Sequence, residues 1–498
     1  IEAHGTATKA GDAAEARGLT TVFGPSNEEG EAWCALGSVK SQIGHTKAAA
    51  GAAGLIKMAL ALHHKVLPPT LKVSSPNAEL GLANGPLYIN TQARPWIRGS
   101  DHPRRGGVSS FGFGGSNFHV PIEEYIGAGN RPPRLRAWSE ELVVLSAVNS
   151  EALQAELRAV AERARDGHTL ALIAHESAAA FDASAEARVA LVAASPAELA
   201  EKATKAAAAL KDDAPASLPD ADITFGSGAP TRGKVAFVFP GQGSQYVGMG
   251  AGAAMTFDDV RSVWDAAADM PEFAQGRLDR AVFPPPAFTD DERRAQQAVV
   301  TEMATAQPAI AAVSLGYLSL LRRLGVQPDA VAGHSFGELS ALAAAGRLQE
   351  ADLLATARRR GELMAEAAST RAGAMLAVRS DAETVAGLLG PDSDVVIAND
   401  NAPTEVVLAG TVEAIDAVAA RLKAEGVNGI RLPVASAFHS EIVAGSCEPF
   451  HEHLGAVTWG SSDIDVFANK TAEAYPKSGK AARRLLADQL ASPVRFRD

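Results

Sequence analysis

The chain has 498 residues, 47% of them apolar and 21% charged, a length that suggests about three domains with sizeable cores. Its net charge of −12, with no block of Lys and Arg, argues against nucleic acid as a partner. The two cysteines, Cys34 and Cys447, rule out a disulfide framework and point to a reducing compartment, and no Cys/His cluster has metal-ligand spacing. The chain opens on Ile1 inside a motif and shows no secretory leader, so it reads as a piece of a longer cytoplasmic protein.

Residues 1–128 carry three dense motifs. The first is Glu2-Ala3-His4-Gly5-Thr6-Ala7-Thr8, followed by Gly11-Asp12. The second is Gly37-Ser38-Val39-Lys40-Ser41-Gln42-Ile43-Gly44-His45, which leads into an Ala/Gly-rich helix ending near His63 and His64. The third runs from Gly106-Gly107-Val108-Ser109-Ser110-Phe111 to Asn117. In this order they resemble the C-terminal part of a β-ketoacyl synthase of the polyketide and fatty-acid synthase type, and a partial thiolase-like fold is expected. Ala7 and Phe118 depart from the family's usual Gly and Ala without touching a reacting group. The resemblance makes His4 and His45 the histidines that polarise a carbonyl and assist decarboxylation, with Lys40 in support. The family's nucleophilic cysteine lies upstream of the first histidine. Cys34 matches no nucleophile motif and reads as a small buried apolar residue. The ketosynthase part is therefore expected to be inactive. The run Gly11-Asp12-Ala13-Ala14-Glu15 resembles iterative synthases of the enediyne and polyunsaturated-fatty-acid kind.

Residues 129–231 open on a Pro/Arg boundary at 131–136. They read as a strand at 142–147, helices near 150–165 and 196–210, and a strand near 189–192. The resemblance places here the small α/β linker domain between ketosynthase and acyltransferase. The stretch 212–231, rich in Ala, Pro, Gly and Asp, reads as a loop.

Residues 232–498 carry the chemistry. Val235–Phe239 is a buried strand by composition and runs into Pro240-Gly241-Gln242-Gly243-Ser244-Gln245. The uncharged stretch from Met303 to Leu321 reads as a buried helix rather than a membrane span. Next come a short apolar run, Gly333-His334-Ser335-Phe336-Gly337, and an Ala/Leu-rich run: strand, sharp turn, helix. The glycines relieve crowding, Ser335 projects its hydroxyl at the apex, and the helix N-terminus faces the same spot. The plain alternative is a tight turn with an inert serine.

A second helix spans roughly 351–368. Leu353, Leu354, Ala357, Gly361 and Met364 share one face, with Arg360 at its margin. Such an arginine either snorkels to solvent or waits for a carboxylate. Strands and helices alternate βαββαβ over about 373–432, a ferredoxin-like order, with Asn399 and Asn401 expected in the loop between its central strands. His439 follows in Pro433-Val434-Ala435-Ser436-Ala437-Phe438-His439, and histidine has the pKa of a base for Ser335.

These motifs together resemble malonyl/acyl-CoA:carrier-protein acyltransferases. The expected fold is α/β, an α/β-hydrolase-like core with a ferredoxin-like subdomain. The resemblance implies Ser335 as nucleophile, His439 as base, and the amides of Gln242 and Phe336 as oxyanion donors. It implies Arg360 as the holder of a substrate carboxylate, with His334 facing the pocket and Gln307 either facing it or serving as a structural amide. It gives the orientation of the base to a backbone carbonyl, expected at Asn469. Bulk at Phe438 is expected to favour malonyl over methylmalonyl. The implied substrates are malonyl-CoA and the phosphopantetheine thiol of an acyl carrier protein, with no cofactor bound and no membrane partner. The rest of the synthase is the further expected partner. Two rivals stand beside this reading. A serine hydrolase would need an acid such as Asp394 or Asp400 behind the histidine. A non-catalytic scaffold would need none of these groups.

Overall fold

Three short strands, Ala236–Phe239, Ala330–Gly333 and Asp465–Phe467, pair in parallel around the central Ala330 strand. Phe239 pairs with Gly333 and Ala332 with Phe467, so all three strands finish at the same edge. The loops that leave that edge carry Gln242, Ser335 and Asn469. Ligands of open parallel sheets collect at such carboxyl edges. The fold is that of a computed structural model, which describes residues 1–24, 32–83, 85–112, 114–129, 138–210, 220–229, 233–389, 393–434 and 436–498. The Pro/Arg boundary at 131–136, Phe113 and Ala435 fall outside them.

The elbow helix (Gly337–Ala344), buried along its whole length, packs on this sheet. The central helix (Met303–Arg323) is long and apolar enough to cross a membrane by length and composition, yet twelve of its residues are buried in the core. Pro308 lies inside it and cannot donate to Ala304. The carbonyl of Ala304 instead accepts from Arg358 Nη1 at 3.3 Å. Arg358 belongs to the arginine helix (Glu350–Thr370). A Cβ on Gly361 would stand 2.3 Å from the Met303 carbonyl oxygen, so only glycine lets the two helices approach this closely.

The ferredoxin-like subdomain has the strand order Gly429–Arg431, Ala374–Val378, Glu405–Gly410, Val396–Ala402, with Val494–Arg495 added in parallel at the edge. Its core is a separate cluster that includes Leu376, Val406, Leu408, Ile415 and Leu422. Asn399 and Asn401, expected in a loop, are on the strand Val396–Ala402. The strand runs past the apolar stretch because the backbone of Asn399 and Asp400 pairs with Val494 and Arg495.

In residues 1–129, Glu2 bridges Gly37 and Val108, and its buried carboxylate pairs with Lys57 at 2.8 Å. The helix Ala50–His64 packs on the hairpin Arg105–Phe111/Asn117–Glu123. Arg104, 2% exposed, donates to Glu124 at 2.8 Å and to both oxygens of Asp265 at 2.8 Å. It ties this part to the helix Asp258–Ala267.

Residues 132–233 form a second unit. Its antiparallel sheet has the order Glu141–Ala147, Ala187–Ala193, Ile223–Ser227, and strict burial alternation in Ala187–Ala193 gives the sheet one covered face. Asn149 and Ser195 cap the helices Ser150–Arg165 and Pro196–Ala209. Two elements depart from the sequence reading. The helix Leu170–Ala180 was not foreseen, and the strand Ile223–Ser227 lies in the stretch expected to be a loop. Ile223 and Phe225 supply the apolar contacts that hold it on the sheet. Residues 211–219 fall outside the described residues.

Candidate active site

The turn after Gly333 is tight enough to exclude any other residue at two positions. A Cβ on Gly333 would stand 1.9 Å from the carbonyl carbon of Gly337, and one on Gly337 would stand 2.3 Å from the Phe239 carbonyl oxygen. Between them Ser335 adopts φ +51°, a left-handed conformation costly for serine. Asn469 holds it there. The Ser335 N–H donates to Asn469 Oδ1 at 2.6 Å, and Asn469 Nδ2 donates to the Gly333 carbonyl at 2.8 Å.

Ser335 Oγ donates to His439 Nε2 at 2.7 Å. His439 Nδ1 donates in turn to the backbone carbonyl of Gln489 at 3.1 Å. The expected orienting carbonyl at Asn469 is therefore corrected. Asn469 uses its side chain to fix the elbow, and its own carbonyl accepts from the Arg495 N–H. The one-turn helix Gln489–Ala491 brings Gln489 to the base instead. No carboxylate among the described residues reaches His439; Asp400 pairs with Arg497. Burial, then the charge of Arg360, lowers the His439 pKa to about 3, while the Gln489 carbonyl works in the opposite direction.

Two backbone donors lie in the loops next to Ser335. No acceptor among the described residues meets the backbone N–H of Phe336 or of Gln242. The first turn of the elbow helix backs Phe336. Gly241 lets the other loop close in, since a Cβ there would meet the His334 carbonyl oxygen at 2.5 Å.

Arg360 is 1% exposed and forms no ion pair among the described residues. Its Nη1 donates to Gln307 Oε1 at 3.0 Å and its Nη2 to Gln489 Oε1 at 3.2 Å, two neutral amides. Its guanidinium carbon stands 5.9 Å from the centre of the Phe336 ring. Burial brings its pKa to about 10, so it stays a cation at neutral pH. Gln307, fully buried, passes the chain on: its Nε2 donates to Gln242 Oε1 at 3.1 Å. Phe438 is buried in the core beside the base. His334 turns to the ferredoxin-like sheet, where its Nε2 donates to Asn401 Oδ1 at 2.8 Å.

The sequence reading missed Glu338, Tyr475 and Gln489. Glu338 is 0% exposed and accepts from the Tyr475 hydroxyl and from the Asn469 N–H. Burial pushes its pKa up to about 7. It is the only charge between Ala330 and Gly346, and a lone acid in so apolar a run was the available signal. Gln489 had no comparable signal.

A second cluster gathers His4, His45 and Lys40. The two imidazole rings are 5.8 Å apart, His4 Nδ1 accepts from the Phe111 N–H at 3.2 Å, and Lys40 Nζ donates to the His4 carbonyl. Burial lowers the His4 pKa, with Lys40 adding to the effect. Cys34 is half-buried on the strand Cys34–Leu36, and burial raises its thiol pKa, the reverse of an activated nucleophile.

A serine in a left-handed conformation with an imidazole on its hydroxyl thus stands at the carboxyl edge of a mixed α/β domain. Residues 236–498, more than half of the chain, match the family described as acyl transferase domain, and the chain belongs to that family. Residues 1–74 match the C-terminal domain of β-ketoacyl synthases, and 76–192 their C-terminal extension. The domain order is that of a type I polyketide synthase segment. The chain is 32% identical to a polyunsaturated fatty acid synthase polypeptide from Thraustochytrium sp., over 100% of its length and 18% of that protein's. It is 35% identical to mycoketide-CoA synthase of Mycobacterium tuberculosis, over 100% of its length and 12% of that protein's. A solved acyltransferase domain, from an iterative polyketide synthase of enediyne biosynthesis, is 29% identical with a TM-score of 0.55, over 72% of this chain and 82% of that one.

Proposed function

We propose that the domain moves a malonyl unit from malonyl-CoA to the phosphopantetheine thiol of an acyl carrier protein, through an ester on Ser335. The observation that carries the reading is Arg360, a buried cation whose side-chain hydrogen bonds among the described residues go to neutral amides. A buried unpaired charge is costly unless a ligand supplies its partner, and a guanidinium fits a carboxylate bidentately. An acyl group on Ser335 that ends in a carboxylate meets that need.

His439 Nε2 takes the proton as Ser335 Oγ attacks the thioester carbon. The amides of Gln242 and Phe336 stabilise the tetrahedral oxyanion, each such donor being worth about 3–4 kcal/mol. The carbon–sulfur bond breaks, and the departing CoA sulfur takes the proton from His439. The carrier's thiol then attacks the Ser335 ester by the same steps in reverse. Phe438 leaves little room for an α-methyl, a preference of about 1–3 kcal/mol. The ketosynthase residues His4, His45 and Lys40 form a decarboxylation site without an activated cysteine, so we expect no condensation from this chain. Condensed product from the purified chain would refute that.

The test is intact-protein mass spectrometry after brief mixing with equal malonyl-, methylmalonyl- and acetyl-CoA. A malonyl adduct that disappears in Ser335→Ala is expected. A dominant acetyl adduct would overturn the role given to Arg360, and steady CoA release without an acceptor would favour hydrolysis.

A further inference from the structure

Gln489 takes part in the site twice. Its backbone carbonyl accepts from His439 Nδ1, and its side-chain Oε1 accepts from Arg360 Nη2 at 3.2 Å. The other end of the same amide, Nε2, is buried and has no acceptor among the described residues. A buried donor without a partner costs about 1–3 kcal/mol. The amide cannot be turned over to relieve this, because a guanidinium only donates and needs the oxygen facing it. Gln307, the other amide on Arg360, is different. Its Nε2 donates to Gln242 Oε1 at 3.1 Å and lies 3.5 Å from the Met364 sulfur. One of the two amides that grip the guanidinium is thus satisfied at both ends, and the other is not.

We propose that Gln489 determines acyl specificity: its Nε2 donates to the free carboxylate of a dicarboxylic acyl group bound at Arg360. The proposal rests on the malonyl reading above and adds a second recognition group to it. A carboxylate offers about four lone-pair positions, enough to accept from the guanidinium and the amide together. An acetyl group ends at the carbon that would carry the carboxylate and leaves both donors without that acceptor. A site built to hydrogen-bond a substrate group rejects the analogue that lacks it far more strongly than a site that senses only bulk. The grip of Gln489 on His439 comes from the backbone, so side-chain substitution separates the two roles.

The test uses the full chain and two variants. Gln489→Met keeps the length and the backbone carbonyl but removes both ends of the amide. Gln489→Glu keeps an acceptor towards Arg360 and puts a negative charge where the donor was. Ser335 loading is measured as kcat/KM with malonyl-CoA and with acetyl-CoA. Loss of one good hydrogen bond to a charged group predicts a malonyl rate about 10- to 100-fold lower in Gln489→Met. The acetyl rate should fall much less, so the malonyl-to-acetyl ratio drops about tenfold or more. Gln489→Glu should depress malonyl loading further, because its charge repels the substrate carboxylate. Equal loss with both substrates would show that Gln489 acts only through His439 and would overturn the proposal. So would an unchanged ratio in a wild-type background that loads malonyl. A wild-type chain that prefers acetyl would instead sink the reading of Arg360 on which the proposal rests.

Discussion

At Arg360 the cost of burying a cation has been accepted, and Glu338, a buried acid of the same site, is turned towards Tyr475 and Asn469 rather than towards the guanidinium. Replacing Arg360 by Met should lower malonyl loading about 100-fold and leave the uncharged acetyl group less affected, since two charge-assisted hydrogen bonds are lost only with the former. Glu338 and His439 also carry opposite pH signatures. Between about pH 4.5 and 6.5, unfolding lets His439 take up a proton, because its folded pKa is near 3. Over the same window unfolding makes Glu338 release one, because its folded pKa is near 7. Stability therefore falls with falling pH on account of His439 and rises on account of Glu338, and the two offset each other. Glu338→Gln removes only the second effect. Its stability should fall relative to wild type as pH drops from 6.5 to 5, by on the order of 1 kcal/mol per pH unit, in urea unfolding at each pH. Parallel pH curves for the two proteins would refute the raised carboxyl.

Among the elements, the strand–turn–helix of Ser335 was legible because its constraints are local. Apolar residues, two close glycines and a following Ala/Leu run all act within a dozen residues. The βαββαβ alternation was legible for the same reason. The partner of His439 was not. Which carbonyl meets Nδ1 depends on where the helix Gln489–Ala491 packs, 50 residues from the base, and no local pattern marks that. The strand Ile223–Ser227 was hidden for a related reason, since its polar composition is outweighed by pairing with Ala187–Leu191. Helix contact is equally specific at Gly361. Gly361→Ala should push the arginine helix off the Met303 carbonyl and shift the adjacent Arg360. Overpacking of this kind costs about 1–3 kcal/mol. A melting temperature lower by several degrees, together with a loss in malonyl loading larger than in acetyl loading, is the expected outcome in thermal unfolding and loading assays.

Across the whole molecule, two cores of different independence are evident. The unit 132–233 buries its apolar residues among themselves, in a cluster that runs from Val143 to Ile223. Produced alone, it should unfold in one cooperative transition when followed by circular dichroism. Residues 1–129 bury two small apolar clusters, one with Leu36 and Leu87 and one with Met58 and Val108, together with buried charge. Arg104→Met would take the nearest cation from Glu124 and Asp265, leaving Glu124 to Arg98 and Lys65 and Asp265 to Arg261, at a cost of about 1–3 kcal/mol in denaturant unfolding. Ser335 acylation at 25 °C should persist in that variant, because Arg104 touches no group of the site.

The helix that carries Gln489 has a consequence in time as well as in space. Gln489 follows Arg360 by 129 residues. A ribosome adding about 5–20 residues per second needs roughly 6–26 s to cover that stretch. Ser335 and Arg360 are thus made before Asn469, whose side chain fixes the elbow, and before Gln489, whose carbonyl aims the base. The hydroxyl of Ser335 is therefore made well before the groups that fix and orient its neighbours.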